Sequence, residues 1–433
     1  MKRRVAVTGL GIVNPFDEEQ LPPDDAGSGP RTPQASVSDF FTRIVAGQSA
    51  VSLYTTEDIP RALMIPAVRC AGFRPDKRLG KALSGMMERF AQLGVAAAFD
   101  AWEDAGFSRD KTAFTHNHSE SGVAWGTALG GLMAFERGYR DFWQHGRERV
   151  APMSVVLGMN NAAAAHMSIQ LGLGNSSLTY SVACSSAAAA IGEAFGQIRS
   201  GRAKLMVAGG SDATLAYAVV RAWEALKVLA PGDETSAAQA CKPFHPARGG
   251  LVLGEGAAAL ILEDWDHAVA RNARIYAEIA GYGANADHAH LVRPDQAGQV
   301  AAIRMALEEA GLTPADVGYI NAHGTATREG DPIEIDALRE VFGPHANNLP
   351  VSATKSAHGH LMGATGAVEA LLTVLALHHD TLPPTAHLDE VDASCSGVRH
   401  IRGNALRGSN ARAALSNSFA FGGSNAVLAF KAV

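Results

Sequence analysis

The sequence predicts an α/β fold, with helices packed on largely buried sheets, and three observations carry that expectation. Short apolar runs alternate with Ala-rich helical patterns along the whole chain. Most of those runs end in Gly or turn residues and read as strands buried on both faces. The composition is that of a well-packed globular protein: of 433 residues 47% are apolar, 18% are charged and 45 are glycine. That describes close helix contacts and does not suggest disorder. The length allows two packed units of domain size.

The elements follow in order. VAVTG opens the chain as a strand entering a Gly turn. The segment 16–34 is rich in Pro, Gly and acid, and reads as a mobile surface insertion. LGKALSGMMERFAQLGVAAAFDAWEDAG, beginning at Leu79, reads as one long amphipathic helix stopped by a Gly. GVAWGT, LMVAGG, AALILED, IYAEIAG, YINAHGT and AALSNSF read as buried strands. AAIRMALEEAG and DPIEIDALREVFG supply intervening helices.

A duplication is also legible. MVAGGSDATLA, ending at Ala216, resembles AFGGSNAVLA, ending at Ala429; each reads as a strand running into a Gly-Gly turn. Each half also holds a strand, a reactive-looking loop and a helix of very small residues: SLTYSVACSSAAAAIGEAFG and PVSATKSAHGHLMGATGAVEALL. Two such helices can pack tightly at the centre of a pseudo-symmetric molecule. The division falls near Asp264, giving units 1–264 and 265–433.

Charge and cysteines exclude several function classes. A net charge of −6 with no basic run argues against nucleic acid as a partner. The start MKRRVAVTGLGIVNPF mimics a signal peptide, but no small-residue cleavage site follows and the next segment is acidic. AVEALLTVLAL is too short to span a bilayer and carries Glu369. No membrane association is expected, and a cytoplasmic location is. Cys70, Cys184, Cys241 and Cys395 are scattered without paired spacing, so they form neither a disulfide framework nor a zinc ribbon.

Four places carry chemistry. Cys184 sits between the β-like run SLTYSVA and an Ala-rich helix, where backbone N–H groups and the helix dipole favour a thiolate. Ser185, Ser186 and Ala187 after it allow close approach by a substrate or another backbone; a buried structural Cys is the alternative. His323 ends a strand and opens into Gly324, Thr325 and Thr327, with the two threonines alternating on one side. Lys355 lies in KSAHGHLMGATG among small residues and needs a partner if buried; Glu369, on an apolar helix, is the natural candidate. Phe419 and Phe421 precede Gly422 and Gly423, either as core residues or as a movable flap.

Together these pieces resemble the condensing enzymes of fatty-acid and polyketide synthesis in the thiolase superfamily, nearest the elongating (type II) β-ketoacyl-[acyl carrier protein] synthases. The resemblance runs in order through VAVTGLGIVNP, VACSSA, MVAGG, GLVLGEGAAALILED, YINAHGTATREGD, TKSAHGHLMGATGAVEA, TLPPTAHLD and NSFAFGGSNA. It implies a five-layered αβαβα thiolase fold of two pseudo-symmetric halves. It implies an acyl-accepting Cys184, the histidine pair His323 and His360, and Lys355 with Glu369 as its acidic partner. Thr325 and Thr327 match the threonines that contact the phosphopantetheine arm. Phe421 resembles the aromatic gate, and the backbone N–H groups of Cys184 and Phe421 the oxyanion hole. The implied reaction is decarboxylative condensation of a malonyl thioester with the acyl chain on Cys184, extending it by two carbons. The implied partners are acyl carrier protein, which brings the phosphopantetheine arm, and a second subunit, identical or related. No bound cofactor or metal is implied.

Departures from the family pattern point to a specialised polyketide or polyene pathway over primary fatty-acid elongation. Ala420 replaces the first glycine of the gate, His245, Gly249 and Leu251 alter the KPFHPARGGLV stretch, and Trp223 lies in an unusual AWEALKVLAPG. Among rivals, a degradative thiolase needs a second catalytic cysteine, and Cys395 lacks the Gly-flanked setting. An initiating synthase carries Asn where His360 stands, and a chain-length-factor subunit lacks the nucleophile. A zinc hydrolase finds no third ligand at metal spacing from His358 and His360. His358 falls where the family commonly carries Thr, and reads as a bystander able to tune the loop's charge near neutral pH.

Overall fold

The computed structural model describes residues 2–20, 33–56, 61–110 and 118–433. Five strands that end at Asp264 lie side by side in the order Ser177–Tyr180, Ser121–Gly126, Leu205–Ala213, Leu253–Asp264, Val5–Val13. The first three are mutually parallel, and the last two run antiparallel to their neighbours. The later strands repeat that order and orientation: Pro350–Ser352, Tyr319–Asn321, Ala413–Phe419, Ser424–Lys431, Ala277–Ala286. Arg399–His400 extends the outer edge of this second group. The two groups join where Val5–Val7 pairs antiparallel with Ala277–Ile279. Side strands Ser52–Thr56 and Leu63–Val68 form a hairpin against the start of Leu253–Asp264.

Helices complete five layers, α-β-α-β-α. Arg89–Asp104 covers the outer face of the first sheet, and Gln296–Ala310 covers that of the second. Between the sheets lie Ser186–Arg199 and Thr365–His378, packed on each other and on strands of both groups. Small residues make this possible. A Cβ on Gly366 would sit 2.8 Å from the Ala188 nitrogen, and the helix Thr365–His378 is buried from Thr365 through Leu377. Strands enclosed on both faces carry continuous apolar runs, as in Leu253–Asp264, where all twelve residues are buried.

Val5–Val13 and Ala277–Ala286, the strands where the two groups join, each have a Gly-x-Gly that lets the outer helix lie against the sheet. Cβ atoms on Gly9 and Gly11 would fall 2.2 and 2.0 Å from the Ala101 and Ala97 carbonyls, and on Gly281 and Gly283 2.4 and 2.1 Å from the Ala306 and Ala302 carbonyls. This repeat differs from the one expected. MVAGGSDATLA starts inside Leu205–Ala213 and ends three residues past it, with Gly209 and Gly210 inside the strand, whose positional counterpart is Ala413–Phe419. Gly422 and Gly423 instead form a turn, with φ of 85° and 72°, before Ser424–Lys431. The matched motifs therefore lie on non-equivalent strands, because a two-glycine match cannot distinguish a turn from a strand that a neighbour approaches closely.

Two element boundaries also differ. The long helix expected from Leu79 is broken: a short turn, Lys81–Ser84, precedes a helix that starts at Arg89, where Glu88 caps it by accepting from the Phe90 N–H. Of the segment 16–34, Pro15–Gln20 is a 3-10 turn and a helix begins at Pro33; residues 21–32 lie outside the described residues, as does the mobility expected of them. Among the described residues no helix is long and apolar enough to cross a membrane.

Candidate active site

Cys184 lies in the turn Ala183–Ser185, between the strand Ser177–Tyr180 and the central helix Ser186–Arg199. Ala183 adopts φ 51°, a left-handed conformation that turns the chain sharply. The small residues after Cys184 let another backbone come close, one of the two expected readings: a Cβ on Gly126 would fall 2.3 Å from the Ala187 nitrogen, and the two serines staple the turn. Ser185 Oγ donates to the Val182 carbonyl at 2.9 Å, and Ser186 Oγ donates to the Ala183 carbonyl at 2.6 Å while accepting from the Val182 N–H at 3.0 Å.

His360 follows Gly359, which has φ 69°. Its own backbone is docked on the segment before Leu253–Asp264: its N–H donates to the Val252 carbonyl at 2.7 Å and its carbonyl accepts from the Gly254 N–H at 3.0 Å. The ring then lies between Thr365 and Cys184, with Nδ1 2.9 Å from Thr365 Oγ1 and Nε2 3.1 Å from Cys184 Sγ. His323 stands two residues beyond the strand Tyr319–Asn321, whose end was expected at the histidine itself. Its ring meets that of His360 edge-on, with centroids 5.7 Å apart.

Lys355 is wholly buried, and its Nζ contacts Glu369 Oε1 at 2.6 Å, the His323 carbonyl oxygen and His323 Nδ1 at 3.3 Å. An ammonium can only donate. His323 Nδ1 is therefore the acceptor, and its ring proton lies on Nε2. Burial, with the Lys355 charge and each other's proximity or that of His358, holds His323 and His360 well below the usual histidine range, so both are neutral.

The Cys184 thiol is pushed up to about 11 by burial. The Lys355 charge and hydrogen bonds from the backbone N–H groups of Phe421 and Cys184 itself pull it the other way without prevailing. The thiolate expected from the helix dipole is thus not the resting form; desolvation outweighs the dipole. His358 is corrected likewise. It is buried, bonds the Gly359 carbonyl and Thr354 Oγ1, and burial lowers it to about 3, so it carries no charge near neutral pH.

A cavity of about 520 Å³ opens onto Cys184, His323 and His360. Thr325, Thr327, Phe419 and Phe421 line it, as do Trp223, Gly249 and Leu251, whereas His245 points away and bonds Asp389 at 2.8 Å. Thr325 and Thr327 lie in the loop after the strand, with hydroxyls 3.1 Å apart. Ala420 does not occupy a left-handed conformation, so its Cβ is accommodated, and Gly422 and Gly423 carry the turn.

Two buried carboxylates were missed by sequence reasoning. Glu334 accepts the N–H groups of His323 and Gly324, each at 2.8 Å, and Asn417 Nδ2 at 3.1 Å. Asp212 accepts Thr127 Oγ1 at 2.7 Å and the N–H groups of Ala128 and Gly363 at 2.9 and 2.7 Å. They fix the loops on either side of the thiol. An acid within the apolar run of Leu205–Ala213 is a signal that could have marked Asp212.

Donor atoms of Cys184, His323 and His360 lie within 4.8 Å of one another, a three-ligand set that spacing along the chain did not reveal. A soft divalent ion suits such donors, but the raised thiol and the Lys355 ammonium both oppose it. The arrangement instead suits nucleophilic attack by sulfur beside two neutral N–H donors.

The chain matches two family descriptions: "Beta-ketoacyl synthase, N-terminal domain" over residues 2–268 and "Beta-ketoacyl synthase, C-terminal domain" over residues 276–389. It is 42% identical to nodulation protein E of Rhizobium meliloti (strain 1021), covering 100% of both chains. It is 34% identical to 3-oxoacyl-[acyl-carrier-protein] synthase 2 of Coxiella burnetii, over 100% of this chain and 99% of that one. Among solved structures, the ishigamide ketosynthase/chain length factor superposes with a TM-score of 0.87 at 28% identity, covering 100% of both chains.

Proposed function

Because the chain belongs to the β-ketoacyl synthase family of acyl-transferring condensing enzymes, we propose that Cys184 accepts an acyl chain from a carrier-protein thioester and that His323 and His360 drive its extension by two carbons. One observation carries the assignment. Cys184 Sγ lies 3.1 Å from His360 Nε2, with His323 beside them and two backbone N–H groups on the sulfur.

In the first step the Sγ–acyl bond forms and the bond to the arm's sulfur breaks. The thiol proton passes through His360 Nε2 to the departing sulfur. The N–H groups of Cys184 and Phe421 hold the tetrahedral oxyanion. In the second step a malonyl thioester loses CO₂, and the resulting enolate oxygen accepts the Nε2–H bond of neutral His323 and, once the His360 proton has shifted from Nδ1 to Nε2, that of His360. Its carbon attacks the acyl carbonyl, Cys184 leaves as thiolate, and a solvent proton restores the thiol. Thr325 and Thr327 bond the phosphopantetheine arm, which arrives with acyl carrier protein; no resident cofactor is needed. Lys355 and Glu369 keep His323 oriented and neutral, and Phe419 and Phe421 close the acyl side.

Residues 1–264 and 265–433 are read as the two pseudo-symmetric halves. The edge strand Ser177–Tyr180, with Leu178 exposed, offers a pairing edge to a second subunit, identical or of chain-length-factor type. The greater likeness to nodulation protein E than to synthase 2, and Trp223, Gly249 and Leu251 on the cavity wall, favour a specialised pathway; its location is read as cytoplasmic.

Elongation assays on a panel of saturated and polyunsaturated acyl carrier proteins test this. A two-carbon extension confined to a subset of chains supports the reading. Equal use of ordinary saturated chains would overturn the specialised pathway, and no extension of any chain would overturn the synthase assignment. Light scattering tests assembly, and a monomer would remove the dimer.

A further inference from the structure

Trp223 lies on the helix Tyr217–Ala225, whose only buried residue is Val220. The helix is nonetheless tied down: Arg221 Nη2 donates to the Arg61 and Ala62 carbonyls at 2.6 and 2.7 Å, and Tyr217 OH donates to the Arg61 carbonyl at 2.8 Å. From this anchored surface the indole reaches the cavity and stacks on Phe421, with centroids 5.8 Å apart and planes 30° from parallel. It also packs against the apolar cluster that contains Cys184, Leu251, Met362 and Ala420.

Phe421 is held differently on its other side. Its loop is a two-glycine turn, closed by the Gly423 N–H on the Ala420 carbonyl at 3.0 Å and by the Gly422 N–H on the Leu291 carbonyl at 2.7 Å. Glycines at these positions leave the loop backbone free to change conformation. The ring at the loop tip is thus pinned by a residue from a different, anchored segment.

We propose that Trp223 is a positioning residue of the gate: its indole holds Phe421 over Cys184 in the resting enzyme, and a chain reaches the sulfur by parting the stacked pair. This rests on the reading of Phe421 as the gate over an acyl-accepting Cys184. An aromatic stack strengthens the closed state beyond the area it buries. A tryptophan at 223 therefore sets how readily the gate opens, and with that which chains gain entry.

The test is the rate at which a long-chain iodoacetamide alkylates Cys184, followed by peptide mass spectrometry, which requires the chain to pass the stacked pair and no acyl transfer. Trp223→Leu raises that rate about three- to tenfold, the range of an aromatic stack, while Trp223→Phe stays within about twofold. Phe421→Leu matches Trp223→Leu, and the double variant gains nothing further. A wild-type rate in Trp223→Leu, or a double variant whose effect is the product of the singles, overturns the proposal. Should Trp223→Leu fail to fold, fluorescence decides. Alkylating Cys184 with a long-chain iodoacetamide shifts tryptophan emission in the wild type and not in Trp223→Phe; equal spectra overturn the proposal. Absence of acyl transfer in the wild type would count against the synthase reading alone.

Discussion

Lys355 Nζ stands 2.6 Å from Glu369 Oε1, and neither side chain has any exposed surface. Burial pushes the Glu369 carboxyl up while the Lys355 charge and hydrogen bond pull it down, so the carboxylate is held only while the ammonium remains. Lys355→Met removes it and should cost about 3–5 kcal/mol in urea unfolding, the usual cost of breaking a buried pair. Lys355→Met/Glu369→Met should recover most of that loss but not the activity, since His323 Nδ1 loses its donor. A double variant as unstable as the single one would show that the two charges are not coupled.

Glu334 clamps the N–H groups of His323 and Gly324 with its two oxygens, and burial raises its pKa. Glu334→Ala leaves two buried N–H groups unpaired, each worth about 1–3 kcal/mol. Stability should fall by several kcal/mol, and kcat more than KM, because His323 moves while the cavity wall persists. Glu334→Gln should retain one acceptor and most of the stability. An unchanged kcat in Glu334→Ala would remove the positioning role.

The difference between these two pairs shows what was legible. Lys355 and Glu369 each interrupt a run of small or apolar residues, so burial and a need for a partner follow from the pattern. Cys184, His323 and His360 likewise stand where apolar runs break into small-residue loops, and the structure brings all three together. Glu334 sits in DPIEIDALREVF, where alternating acids and apolar residues describe any amphipathic helix. Only the tertiary approach of residues 323–324 distinguishes it from a solvated carboxylate. The thiol's proton affinity was misjudged for a similar reason: helix position is local and visible in sequence, while desolvation by Met362, Leu215 and the gate loop is not. The helix from Leu79 was overextended because periodicity continues across Gly85, where the chain does not.

His358 is buried and lowered to about 3, against an ordinary value of 6.5. A histidine whose folded value is depressed binds its proton in the unfolded chain first. Its contribution is therefore present above about pH 6.5 and is lost as pH falls. His358→Gln, which can still bond Thr354, should flatten the stability curve by about 1.4 kcal/mol per pH unit between pH 6 and 4. Parallel curves for variant and wild type in urea titrations would contradict a neutral His358.

Cys184, His323 and His360 can converge on a divalent ion, but the Lys355 ammonium lies 3.3 Å from His323 Nδ1. Purified protein should carry substoichiometric zinc by plasma mass spectrometry, and chelators should leave activity intact. Lys355→Met should bind zinc more tightly than wild type, since the repelling charge is gone. Stoichiometric zinc that disappears in Cys184→Ala would place a metal at the site.

With the Cys184 thiol pushed up to about 11 by burial, its thiolate fraction rises with pH throughout the neutral range. Alkylation of Cys184 by iodoacetamide should therefore climb close to tenfold per pH unit from pH 7 to about pH 10, with no plateau before then. A neutral His360 fits the same picture, because a thiolate–imidazolium pair would require that ring to be protonated. Such a pair would instead level off near pH 6 to 7, and that profile would overturn the neutral resting site. Cys184→Ala should show no alkylation at this peptide and no acyl adduct by intact-protein mass spectrometry after incubation with acyl carrier protein. If the thiol is neutral at rest, the nucleophile is generated only when a thioester carbonyl reaches the two N–H groups and His360 accepts the proton. Acylation of Cys184 by a carrier-bound thioester should then be far faster than its alkylation by a simple agent at the same pH.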